Sequence, residues 1–138
     1  MSYLLDTNAI SEIMRTAPQP SILSWMAANQ DNCFLSVITV GEIERGIELL
    51  PVGRKKHRLG LAFAELVEAI EDRILAFDRA VAHQWATLTS TWHRKGRTLP
   101  VLDSMIEATA LRWDLIIVTR NTSDFVQAPT LNPWDANL

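Results

Sequence analysis

Apolar positions along the chain alternate between short continuous runs and helical stripes. Residues 3–5, 33–36, 74–77 and Leu115-Ile116-Ile117-Val118 are continuous runs and read as strands, the last most clearly. Helical spacing fills the intervals. Thr7 or Asn8 can cap a helix whose apolar side includes Ile10, Ile13 and Met14. Pro20 suits the first turn of a second helix with Ile22, Trp25 and Met26. Val40, Ile43, Ile47 and Leu50 mark one face of a third, and Glu42 falls on the adjoining stripe with Ile38 and Leu49. Pro51 and Gly53 end it. Leu59, Phe63, Leu66 and Ile70 line a helix over residues 55–71. Asp78 caps a long helix carrying Val81, Trp85, Leu88 and Trp92, a stripe read as core or subunit contact, which ends near Gly96. Leu102, Ile106, Thr109 and Trp113 share a face over 101–113, and a weak last strand lies near Thr130-Leu131-Asn132.

Strands that alternate with helices, the clearest apolar throughout, predict a parallel sheet covered on both faces. Ligands of such sheets bind beyond the carboxyl ends of the strands. Asp6, Asn121 and Asp124 stand at or just past such ends.

The 138 residues, 48% of them hydrophobic, allow one ordinary core and argue against disorder. A single cysteine, Cys33, excludes an intrachain disulfide and a multi-cysteine zinc site; within its apolar run it reads as a small core residue. No secretory signal and no membrane-length apolar run is visible, which makes the cytoplasm the expected compartment and a membrane partner unexpected. A net charge of -3 argues against coating nucleic acid through bulk charge, but not against cutting it.

Asp6, Glu42, Asp103 and Asp124 are the candidate chemistry. Singly, each has an ordinary reading: a cap at Asp6, a solvated helix edge at Glu42, a dipole-stabilised first-turn charge at Asp103, a turn at Asp124. Together they would repel one another unless a cation sat among them. An all-oxygen set suits Mg²⁺ or Mn²⁺, which leave places for phosphate and water.

At these positions the chain resembles PIN-domain ribonucleases, in particular VapC- or FitB-like toxins of type II toxin–antitoxin pairs. The likeness rests on Leu4-Leu5-Asp6-Thr7-Asn8, on Ser36-Val37-Ile38-Thr39-Val40-Gly41-Glu42, on Leu99-Pro100-Val101-Leu102-Asp103 through Ala108-Thr109-Ala110, and on Thr119-Arg120-Asn121-Thr122-Ser123-Asp124-Phe125. Asn132-Pro133-Trp134 resembles the FitB-like branch. The resemblance implies one nuclease domain over residues 1–138, folded as an α/β/α sandwich with a mainly parallel central sheet. It implies Mg²⁺- or Mn²⁺-dependent endoribonuclease activity, with Asp6, Glu42, Asp103 and Asp124 as catalytic metal-site acids and Thr7, Asn8, Thr119 and Asn121 as supporting polar positions. It also implies a homodimer, an RNA substrate, an antitoxin partner, and DNA only through that antitoxin. Either Asn121 or Asp124 could stand nearer the metal. Glu107, where the family usually has a small residue, would add charge to the site or point to solvent.

Arg54, Lys55, Lys56 and Arg58 form a basic run near a helix start, where the dipole disfavours cations. A solvated face, or contact with RNA or a partner, are its readings. Arg94-Lys95-Gly96-Arg97 lies at a helix end, where the dipole favours it, and the histidines share no metal-ligand spacing. Two other acidic sites on such sheets fit less well. A receiver domain needs an aspartate ending a central strand, whereas Asp103 opens a helix. An aspartyl phosphatase prefers Asp-x-Asp where Asp6-Thr7-Asn8 stands. A catalytically weak protein acting with an antitoxin in DNA-bound transcriptional regulation is the alternative.

Overall fold

A computed structural model describes residues 1–135. Strands β1 (Tyr3–Leu5), β2 (Cys33–Ser36), β3 (Ile74–Leu75), β4 (Ile116–Val118) and β5 (Thr130–Leu131) form a parallel sheet in the order β3-β2-β1-β4-β5. The helices are α1 (Thr7–Ile13), α2 (Pro20–Asn29), α3 (Val37–Glu48), α4 (Arg54–Ala69), α5 (Arg79–Arg94) and α6 (Val101–Trp113). β1 is central, and its Leu4 and Leu5 pair with Ile117 and Val118 of β4. The chain builds β2 and β3 on one side of β1 and then crosses to lay β4 and β5 on the other. The strand order therefore reverses between β1 and β4, which is where parallel sheets open a crevice.

Strand periodicity sorts the core. Leu5, Cys33, Leu35 and Val118 join Ile10, Ile22, Ile43 and Phe63 from α1 to α4. Leu4 and Ile117 turn the other way, to Ile106 and Ala110 of α6, which α5 backs. Alternating residues of one short strand thus feed opposite layers. Cys33 is buried among the first set, and burial pushes its thiol up to about 11, so it behaves as an inert core residue.

Most expected elements are present, several trimmed by a residue or two. α5 ends in a Schellman cap: Gly96 has φ +86, and Gly96 and Arg97 donate to the carbonyls of His93 and Trp92. Two expectations are corrected. Asp6 rather than Thr7 or Asn8 caps α1, its side chain accepting the Thr7 N–H. The α6 stripe is misplaced at both ends, since Leu102 and Trp113 are 46% and 45% exposed. Burial instead surrounds the middle of α6, from Ser104 to Ala110, because the helix lies between the sheet and α5, whose Trp85 donates its indole N–H to Ser104. No helix among the described residues is long and apolar enough to cross a membrane.

Candidate active site

The crevice between β1 and β4 begins with Asp6. Its N–H donates to Val118 O at 2.9 Å, which prolongs the ladder one residue past β1 and aims the side chain off the sheet edge. The carboxylate is buried and held on both oxygens. Oδ1 accepts the Thr7 N–H at 2.8 Å, and Oδ2 accepts the Thr119 hydroxyl at 2.9 Å and the Asn8 amide at 3.3 Å. Thr119, first after β4, also accepts Asn8 Nδ2–H and the Asn121 N–H at 3.2 and 3.0 Å. Asn8 Oδ1 accepts the Arg120 N–H at 3.2 Å. The two strand exits are thus stitched together by one small polar network whose centre is Asp6.

Glu42 comes from the second turn of α3 and accepts the Thr7 hydroxyl at 2.9 Å through Oε1. Asp103 stands in the first turn of α6, and Asp124 in the short turn Thr122–Asp124 after β4. All four acids line one pocket of about 500 Å³, with Thr7, Asn8 and Asn121. Its electrostatics record their proximity. Burial, then the charges of Asp6, Asp124, Glu42 and Glu107, push the Asp103 carboxyl up to about 6. Burial also raises Asp6, against the hydrogen bonds from Thr119 and Thr7, and the Asp124 charge adds to the rise. Asp124 is therefore close enough to act on both Asp6 and Asp103, whereas Asn121 is bound to Thr119 through its backbone.

Among the described residues, no three of Asp, Glu, His or Cys gather tightly enough to cage an ion directly. The donor set fits a hard divalent ion that keeps part of its water and takes one or two carboxylates directly. It does not fit zinc, since neither histidine nor cysteine reaches the pocket.

Glu107 adds its charge to the site by raising Asp103, without lining the pocket or pointing to solvent. It is 1% exposed, and its carboxylate accepts the N–H groups of Val126, Gln127 and Ala128 at 2.7–3.2 Å. It ties α6 to the segment that follows Asp124. The basic run divides. Lys56 and Arg58 donate to the carbonyls of Glu48 and Met14, at the C-terminal ends of α3 and α1, where cations are favoured. Arg54 and Lys55 are exposed on a neighbouring hollow.

Pattern reading missed five residues of the pocket lining: Ser11, Glu12, Arg15, Arg120 and Trp134. Glu12 is 4% exposed, yet in the sequence it looks like an ordinary polar helix residue. Only Asn132-Pro133-Trp134, already part of the resemblance, signalled that the chain end returns here.

The PIN-domain family profile matches residues 3–130. The chain is 36% identical over 135 residues to Toxin FitB of Neisseria gonorrhoeae, covering 95% of this chain and 97% of that protein. It is 32% identical over 139 residues to VapC ribonuclease Y4jK of Sinorhizobium fredii, with 96% and 97% covered. The crystal structure of FitAcB from Neisseria gonorrhoeae superposes with a TM-score of 0.88 at 34% identity, covering 96% of this chain and 98% of that one.

Proposed function

This chain belongs to the PIN-domain family, and from that we propose that it is an endoribonuclease, dependent on Mg²⁺ or Mn²⁺, acting in the cytoplasm as the toxin of a toxin–antitoxin pair. The observation that carries the proposal is the meeting of Asp6, Glu42, Asp103 and Asp124 in one pocket at the strand-order reversal. FitB supplies the toxin side of the reading, and Y4jK the ribonuclease side.

In this reading the four acids hold the ion and its waters. When bound, the ion acidifies a water and neutralises charge on the phosphate oxygens. The protein's share is orientation. Thr119, Asn8 and the Thr7 N–H lock Asp6, and the Thr7 hydroxyl holds Glu42 beside it, so neither side chain has to reorganise when the ion arrives.

A thermal-shift series tests the ion. In the unfolded chain an aspartate titrates near ~3.9. The folded Asp103, pushed up to about 6, holds its proton to higher pH. The folded state therefore binds more protons across that window, and metal-free stability falls as pH rises through it. A divalent ion reverses this by binding the charged cluster in the folded state only. Millimolar Mg²⁺ should raise the melting temperature clearly at pH 7.5 and much less at pH 5. An equal gain at both values would detach the ion from these carboxylates.

An inhibitor is the expected partner. A hollow of about 400 Å³ opens beside the acidic pocket and shares Thr7, Ser11, Arg15 and Glu42 with it. Its apolar lining includes Met14, Ile43, Ile47, Leu50 and Leu59. An antitoxin tail could seat apolar anchors there and reach the carboxylates with an arginine, which hydrogen-bonds two oxygens at once and relieves their repulsion. Wild-type protein produced alone should arrest growth, and co-production of a small antitoxin should restore it. Soluble, abundant protein with no effect on growth would instead favour a housekeeping nuclease or a catalytically weak protein acting with an antitoxin on DNA.

A further inference from the structure

Among the described residues, the only cations lining the acidic pocket are Arg15 and Arg120, and one brace joins them. Glu12, on α1, accepts Arg15 Nη1–H on both carboxylate oxygens at 3.4 and 3.3 Å. The same carboxylate accepts the Trp134 indole N–H at 3.1 Å. The Arg120 guanidinium carbon stands 5.7 Å from the centre of the Trp134 ring. The order Arg15–Glu12–Trp134–Arg120 thus forms a wall of the pocket with a guanidinium at each end. Glu12 is 4% exposed, whereas the Arg15 side chain is 61% exposed, so the brace fixes Arg15 without burying its charge.

Arg15 also lines the neighbouring hollow that holds Arg54, Lys55 and Arg58. Arg58 spends its Nη1–H on Met14, and Arg54 and Lys55 lie exposed there. Positive charge therefore continues from the pocket rim at Arg15 outward to the start of α4.

A nucleic-acid strand brings one negative charge per nucleotide to a pocket already holding four carboxylates. An ion among the acids can answer the phosphate being cut. It does not answer the phosphates on either side, which the acids repel. Guanidinium groups, with their fork of N–H donors, suit those neighbours. We infer that a single RNA strand crosses the pocket along the Glu12–Trp134 wall, with Arg120 taking a phosphate on one side of the scissile bond and Arg15, then Arg54 and Lys55, taking those on the other. Glu12 and Trp134 are positioning residues in this scheme. The inference rests on the ribonuclease reading above.

Each phosphate contact contributes about 0.7 to the slope of log affinity against log salt for a single strand. The test titrates a single-stranded oligoribonucleotide of mixed sequence against full-length protein carrying Asp103→Asn, across a salt series. Arg15→Ala and Arg120→Ala should each weaken binding and flatten the slope by about 0.7, and the pair together by about 1.4. Arg15→Lys and Arg120→Lys should restore the slope, because they keep the charge. A role confined to folding would lower the bound fraction of the alanine variants and leave their slope unchanged. If wild-type protein cuts RNA but both alanine variants keep the full slope, the strand path is wrong and the nuclease reading stands. If wild-type protein cuts no RNA, the nuclease reading fails and the path with it.

Discussion

Asparagine in place of Asp103 is expected to reduce RNA cleavage by about a hundredfold or more while leaving the metal-free protein at least as stable as wild type at pH 7.5. These two effects have one cause. The charged Asp103 is disfavoured by burial and by Asp6, Asp124, Glu42 and Glu107, which push its carboxyl up to about 6. A neutral amide of the same shape removes that repulsion, so folding gains. It also removes a charge that would draw the ion, so the Mg²⁺-dependent rise in melting temperature should shrink with the activity. Urea titration in EDTA and cleavage assays in Mg²⁺ measure both. An Asp103→Asn protein that is less stable and fully active would reverse the assignment on both counts. Asp6→Asn should lose activity similarly but stability too, because Asp6 caps α1 and accepts from Thr119 and Asn8.

Glu107→Ala should be the most destabilising substitution near the site, at about 3–5 kcal/mol. The Glu107 carboxylate receives the N–H groups of three consecutive residues, Val126, Gln127 and Ala128, in a place with 1% exposure. Truncation leaves those donors without an acceptor and opens a hole where the buried side chain stood. Glu107→Gln keeps the shape but turns an N–H₂ toward N–H groups, and should lose less. The same contacts brace the segment just after Asp124, so both variants should lose cleavage in excess of what their unfolded fraction explains. A loss under about 1 kcal/mol on Glu107→Ala would show that water replaces the carboxylate freely.

Asp103 and Glu107 stand one turn apart on α6, and the contrast between them shows where sequence reading stops. Asp103 begins a helix after Leu99-Pro100, a position that pattern and motif both mark. Glu107 takes its meaning from three backbone N–H groups about twenty residues later, and backbone donors leave no mark in a sequence. Glu12 is hidden for the same reason, since its indole partner is 122 residues away. Arg58 offered a cationic residue at the wrong end of its own helix, and the explanation lies at the end of another, at Met14.

The elements themselves were far more legible, because period-2 and period-3.6 patterns are local. Strand runs at 3–5, 33–36 and 115–118, and the caps at Asp78 and Gly96, follow directly from residue chemistry. The α6 stripe failed because a helix covered on two sides has no single apolar face. Its small and polar middle, Ser104, Ala108, Thr109 and Ala110, is buried all round, while Leu102 and Trp113 reach solvent at its ends. The supporting residues Thr7, Asn8 and Thr119 stood at strand exits, but the hydrogen-bond pattern that orients Asp6 required β1 and β4 to be neighbours.

The most direct test incubates purified wild-type protein and its Asp103→Asn variant with a cellular RNA pool and maps the cut ends. The proposed function predicts discrete cleavage by wild type in Mg²⁺ or Mn²⁺, and none above background in excess EDTA or with the variant. Undiminished cleavage by Asp103→Asn, or by wild type in EDTA, would contradict it.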